Sequence, residues 1–175
     1  MNRTIYSAAF LVVLLESLAL ADGKSSQQDV KASSATFMIT GMHGPGCAST
    51  IEKSLANTPG LQSIKVAFDT KLAKVQFDEG ALPASRIAQL IAATPHMMGP
   101  SMHYGGMLLL KVPDLKDNAS VSKAKDTLEK VKGVKQVTAI PEKLWLEVQF
   151  AADAKTTSQQ LIEALAAAGF KAEIF

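Results

Sequence analysis

Residues 61–77 read LQSIKVAFDTKLAKVQF, and residues 134–150 read VKQVTAIPEKLWLEVQF. These two stretches, 73 positions apart, decide the fold. In the first, Ile64, Val66 and Phe68 alternate along one run, and Leu72 or Ala73 through Val75 and Phe77 alternate along a second. Asp69-Thr70 between them makes a short turn, so the stretch reads as a β-hairpin. The second stretch repeats it as Val134–Ile140 and Leu144–Phe150. The match extends outward at the same offset: Leu55 falls on Leu128, Gly60 on Gly133, and Val75-Gln76-Phe77 on Val148-Gln149-Phe150. Further along the offset becomes 74, with Ile87 on Leu161 and Ile91 on Leu165. One unit is written twice with one inserted residue, and copies of about 70 residues suit two small domains.

Each copy reads strand, helix, strand, strand, helix, strand. In the first, Ala35–Thr40 is a strand; residues 47–57 carry Ala48, Ile51 and Leu55 at helical spacing, and Pro59-Gly60 stops that helix. Pro83 opens a second helix with Ile87, Leu90 and Ile91, and a fourth strand is predicted near Met97–His103. In the second copy Met107–Val112 is a strand. Val121, Ala124, Leu128 and Val131 mark a helix ended by Gly133, Thr157–Ala168 is the other helix, and Phe170–Phe175 the last strand. That order predicts an α+β fold of two tandem ferredoxin-like βαββαβ sandwiches. Right-handed crossovers then bring three connections to one end: strand 1 to helix 1, the strand 2–3 turn, and helix 2 to strand 4. The link Tyr104-Gly105-Gly106 is short, so the two halves are expected to touch.

The chain has 175 residues, 47% of them hydrophobic and 19% charged, which excludes a disordered chain. A net charge of +2, with no long Lys/Arg run, argues against a nucleic-acid partner. Residues 1–21 read as a signal peptide: Arg3, an apolar run Tyr6–Leu15, and Ala19-Leu20-Ala21 as a cleavage signal. Residues 22–34 read as a flexible leader, residues 35–103 as the first domain, and residues 106–175 as the second. The mature chain is expected in a periplasm or the exterior, with no membrane span.

One Cys excludes an internal disulfide and a four-Cys zinc site. That Cys47 sits in Gly41-Met42-His43-Gly44-Pro45-Gly46-Cys47, and the loop Thr94-Pro95-His96-Met97-Met98 is predicted to arrive beside it. The third His lies in Ser101-Met102-His103-Tyr104. Met42, Met97, Met98, Met102 and Met107 fall in the same regions. Thiolate, thioether and imidazole suit Cu(I), Zn(II) and related thiophilic ions. Cys47 is predicted at a helix N-terminus, where dipole and free N–H groups favour thiolate.

The loop resembles that of the heavy-metal-associated domain family, whose motif is G-M-x-C-x-x-C between strand 1 and helix 1. Gly41-Met42-His43 matches G-M-x, and Cys47 matches the second Cys. The resemblance implies that Cys47 is a metal ligand and that Met42 packs under the loop. Gly44 stands where the family has its first Cys, so a two-thiolate site within one molecule is excluded. The second copy's loop, Val112–Asn118, has no thiol, thioether or imidazole, and Ser120 stands opposite Cys47, so that copy is degenerate.

The metal set read from these residues is Cys47, His43 and His96, with Met97 or water fourth. A Cys47-bridged, metal-dependent homodimer is the other arrangement. Competing readings stand beside these: Cys47 as a packing residue, His43 as a solvated loop residue, and His96 as a packing residue in the place of Phe170. Met102 and His103 read as linker, with a separate copper site loosely spaced. Asn118-Ala119-Ser120 reads as a helix cap or a glycosylation acceptor. Cys47 with either His as nucleophile and base lacks an orienting group and a pocket, so no enzyme is expected. The functional expectation is an exported protein that binds a soft ion, Cu(I) first and Hg(II) or Zn(II) after it. It would buffer the ion or pass it to a metal-transporting or metal-accepting protein. The alternative is a ferredoxin-like interaction module without metal binding.

Overall fold

A computed structural model describes residues 32–175. Residues 1–21, expected to be a signal peptide, and residues 22–31 of the expected leader lie outside the described residues, while residues 32–34, also expected as leader, already belong to β1. Eleven elements follow in order. They are β1 (Ala32–Thr40), α1 (Pro45–Leu55), β2 (Leu61–Ala67), β3 (Leu72–Asp78), α2 (Ala84–Ala93), β4 (Gly105–Lys111), α3 (Asn118–Glu129), β5 (Val134–Ile140), a 3₁₀ turn (Pro141–Lys143), β6 (Trp145–Phe150) and α4 (Ser158–Ala167).

The repeated hairpins form as the alternation requires. β2 pairs antiparallel with β3 and β5 with β6, each with a register shift near its start, at Leu61/Ser63 and Val134/Gln136. Period-2 alternation puts Phe37, Ile39, Val75, Phe77, Leu108, Leu110, Leu146 and Val148 on one face. There they join Ile51, Leu55, Ile87, Ile91, Leu128, Leu161 and Leu165 from the four helices in one continuous core. Burying each such side chain contributes about 1.5–3 kcal/mol. Asp117 caps α3 and Thr157 caps α4, each in a reciprocal capping box, so the sequence Asn118-Ala119-Ser120 serves the cap through Ser120.

Both ferredoxin-like copies are present, in a single six-stranded sheet ordered β2-β3-β1-β4-β6-β5. The first copy has strand order β2-β3-β1-β4, and the second begins again at β4. One strand therefore closes the first unit and opens the second. This corrects the expectation of a separate fourth strand over Met97–His103, which is turn and loop. Gly99, at φ +116°, and Pro100, which lacks an N–H, break any ladder there. The place beside β1 is taken instead by β4, paired from Phe37↔Leu108 to Thr40↔Gly105. The strand expected over Phe170–Phe175 shrinks to one bridge, Lys111↔Glu173, and the Thr36 hydroxyl donates to the Phe175 carbonyl. The edge of β4 is thus divided between β1 and the C-terminal segment.

Side chains fasten the two units together. Glu79 accepts from the backbone N–H of Ser158 and, at 2.8 Å, from its hydroxyl, at the start of α4. Ser85 Oγ donates to the Ala154 carbonyl, and Gln89 Nε2 to those of Ala151 and Ala154. A Cβ on Gly106 would lie 3.1 Å from Ala88 Cα, so glycine is what lets α2 lie this close to β4.

Candidate metal centre

The predicted convergence of three connections at one end is observed. β1 ends at Thr40 and is followed by Gly41, whose φ of +80° and closeness to the His103 carbonyl leave no room for a side chain. Met42 is buried beneath the loop and His43 is exposed. Gly44 is the N-cap of α1 in extended conformation with no side-chain cap, and Pro45 follows as the first helical residue. Cys47 then stands in the first turn of α1, only 4% exposed, its N–H bonded to the Gly44 carbonyl.

The surroundings of Cys47 favour its anion. Its thiol is held below the ordinary range, first by the Tyr104 hydroxyl and then by the His43 backbone N–H; burial opposes them, and the Gly44 N–H and the Lys71 cation add to them. Lys71 lies in the β2–β3 turn with a left-handed φ of 59°. Its Nζ donates to the Met42 carbonyl at 3.2 Å and sits 3.5 Å from the Phe68 ring centroid.

Tyr104 approaches from inside. It is 3% exposed, and its pKa is pushed up to about 12, by burial first and then by Cys47. Its Oη lies against the Cys47 sulfur and the Met97 backbone N–H, yet makes no well-aligned hydrogen bond. A buried hydroxyl left so costs about 1–3 kcal/mol.

The four residues singled out from sequence all come to this tip. Met97 lies with its thioether on Gly46: a Cβ on that glycine would be 3.3 Å from Met97 Sδ. Met97 and Met98 are exposed, at 62% and 64%, which is unusual for large apolar side chains. The His43 and His96 rings meet edge-on with centroids 5.6 Å apart. His96 is buried, and both its nitrogens are engaged. Nε2 donates to the Gly41 carbonyl at 2.9 Å, and Nδ1 accepts from the Met98 N–H at 3.1 Å. Its ring lies 4.5 Å from that of Tyr104. In this conformation His96 is held by two backbone hydrogen bonds as well as by packing. Among the described residues no three His, Cys, Asp or Glu side chains converge as a metal cluster, so Cys47, His43 and His96 do not form a ready three-ligand set. Met102 and His103 line a neighbouring cavity of about 620 Å³ with Thr94, Pro95 and His96.

A family model described as the heavy-metal-associated domain matches residues 36–96 and again residues 109–171. The chain belongs to the heavy-metal-associated domain family. A copper-transporting ATPase of rice, Oryza sativa subsp. japonica, is 26% identical over 132 residues. That alignment covers 74% of this chain and 13% of the ATPase, so the chain spans a small part of that relative's length. Among solved structures, the water-soluble region of the P-type ATPase CopA from Bacillus subtilis is similar at 19% identity and a TM-score of 0.41. The match covers 83% of this chain and 92% of that one. Oxidized MerP from Ralstonia metallidurans CH34 is similar at 21% identity and a TM-score of 0.38, over 44% of this chain and 96% of its own.

Within the heavy-metal-associated domain of the first unit, two site residues escaped the sequence reading. Lys71 was within reach of it, because the β2–β3 turn was already placed at this end and carries one cation. Tyr104 falls in the stretch that the sequence predicts as linker. Nothing local marks it, since only the loss of the strand over Met97–His103 folds the chain back so that Tyr104 meets Cys47. The second heavy-metal-associated domain presents Asp117 and Ser120 at the matching helix start, both spent on capping α3.

Proposed function

We propose that the first heavy-metal-associated unit binds a soft, thiophilic ion at Cys47 and buffers it or passes it to a metal-transporting or metal-accepting protein. Cu(I) is the leading cargo, with Hg(II) and Zn(II) next. The observation that carries the reading is the sulfur environment. A near-buried thiol sits in the first turn of α1, held toward its anion by Tyr104, by loop N–H groups and by Lys71, with the Met97 thioether on the adjacent Gly46. Soft donors of that kind favour Cu(I) over harder ions. His43, exposed beside them, supplies the third donor. His96 serves as the inner support of the loop and becomes a ligand only if it gives up the Gly41 and Met98 bonds.

A site with one thiolate and neutral partners leaves coordination positions for an incoming thiolate, which is what transfer by ligand exchange requires. The second unit, without donors in its loop, acts as a docking or spacing module. Residues 1–21 direct export, so the work is done in a periplasm or outside the cell. No helix among the described residues is long and apolar enough to cross a membrane. The reading is of a carrier, with no catalytic step.

The competing reading, an interaction module without metal, draws on the engaged nitrogens of His96 and the absence of a ready cluster among the described residues. Anaerobic titration with Cu(I), read by competition with a chromogenic chelator, separates the two. The carrier takes up one ion per chain, Cys47→Ser abolishes uptake, and His43→Ala and Met97→Ala each weaken it. Absence of stoichiometric uptake by the wild-type protein leaves the interaction module.

A further inference from the structure

We infer that Tyr104 is a positioning residue for the loaded site: its buried hydroxyl donates to Cys47 Sγ once the ion has displaced the thiol proton. The inference rests on the reading that Cys47 takes the ion. Its starting point is an orphan. Tyr104 is 97% buried by its 3% exposure, its Oη has no aligned partner, and that oxygen lies against the only sulfur in the first turn of α1. Buried hydroxyls are nearly always bonded, so one that is not calls for a partner.

Chemistry supplies the partner. A neutral thiol sulfur is a weak acceptor, whereas a thiolate is a strong one and keeps lone pairs after it binds a metal. On loading, the S–H bond is exchanged for a metal–sulfur bond and the proton leaves to water. The sulfur then accepts from Tyr104 while facing the ion on its other side. The phenol is held for this from behind. Its ring lies 4.5 Å from that of His96, and His96 is pinned by the Gly41 carbonyl and the Met98 N–H. The two connections that meet at the tip are thereby joined through His96 and Tyr104 to the sulfur itself. Outer partners of this kind orient the ligand and tune its donor strength.

The test compares full-length wild-type protein with Tyr104→Phe, which keeps the ring and removes the hydroxyl. Hg(II) and Cu(I) are the probes. Affinity is read by chelator competition and the bond by the sulfur-to-metal charge-transfer band. We expect Tyr104→Phe to weaken Cu(I) binding by roughly ten-fold. The band should move to longer wavelength, because the sulfur lone pair loses its hydrogen bond, while the metal-free fold is at least as stable. The chain has two tyrosines, Tyr6 and Tyr104. Fluorotyrosine labelling therefore gives a second measurement that needs no variant, in which the ¹⁹F resonance of Tyr104 shifts on metal addition. Equal affinities, superimposable bands and an unmoved resonance, in a wild-type protein that does take up metal, overturn the role of Tyr104 alone. A wild-type protein without a charge-transfer band overturns it together with the metal-binding reading.

Discussion

Gly44→Cys asks whether the first loop is a metal site short of one donor. Gly44 is the N-cap of α1, at φ −167° and ψ 170°, an extended conformation open to any residue. A Cβ built there meets nothing within 4 Å. Gly outranks residues without a capping oxygen at an N-cap by about 1 kcal/mol, a loss small enough that the variant should fold. An N-cap side chain points back toward the N–H groups of the second and third helical residues, and Cys47 is the third. The new sulfur therefore faces the existing one across the mouth of the helix. Losing an outer-sphere partner typically costs 10–100-fold in metal affinity, so gaining a direct thiolate should exceed the upper end of that range. The expected gain for Cu(I) is more than about 100-fold, or about 2.7 kcal/mol. Chelator competition under anaerobic, reducing conditions measures it, the reductant keeping the adjacent thiols from pairing. Wild-type and variant affinities within three-fold of each other would refute the placement of the ion at this helix start.

Other outcomes follow from the same geometry. The lowered pKa of Cys47 means that the unfolded chain holds the thiol proton over a pH range where the folded chain has lost it. Stability should then rise with pH from the folded value up to about the ordinary thiol value of 9.0, and Cys47→Ser should remove the slope in urea titrations. Tyr104, pushed up to about 12, works in the opposite sense: above its ordinary value of 10.0 the unfolded chain loses the proton first, so stability should decline from there to about pH 12. Glu79→Gln weakens the charge-assisted bonds to Ser158 at the start of α4, and should lower unfolding free energy by about 1.5–3 kcal/mol with an unchanged urea m-value. Gly106→Val drives a side chain into Ala88 and Ile91, and thermal unfolding should report a loss of roughly 1–3 kcal/mol.

The hairpins at 61–77 and 134–150 were legible because their alternation, turn residues and repetition all agree, and strand pairing then leaves little freedom. The meeting of the Cys47 loop with the His96 loop was legible too, because crossover handedness fixes which connections share an end. What sequence could not supply was competition between equally plausible strands. Met97–His103 and Gly105–Lys111 both qualify to lie beside β1. The outcome is decided by tertiary packing: Gly106 lets α2 approach, while Gly99 and Pro100 cannot hold a ladder. That difference reaches the site. With a strand over Met97–His103, Tyr104 lies outside the tip; with a loop there, it lies under the thiol. The state of His96 was also out of reach, since two backbone groups from separate connections engage its nitrogens, and neither is encoded beside it.

The double duty of β4 bears on how such a molecule can be divided. A chain cut after His103 would strip β1 of β4, one of its two neighbours, and bare a row of amide and carbonyl groups from Phe37 to Thr40. Such a fragment would seek a replacement strand, from a second fragment or from any extended peptide at hand. The halves are therefore not modules to be shuffled like beads: the loop that carries Cys47 has a footing that belongs to both repeats.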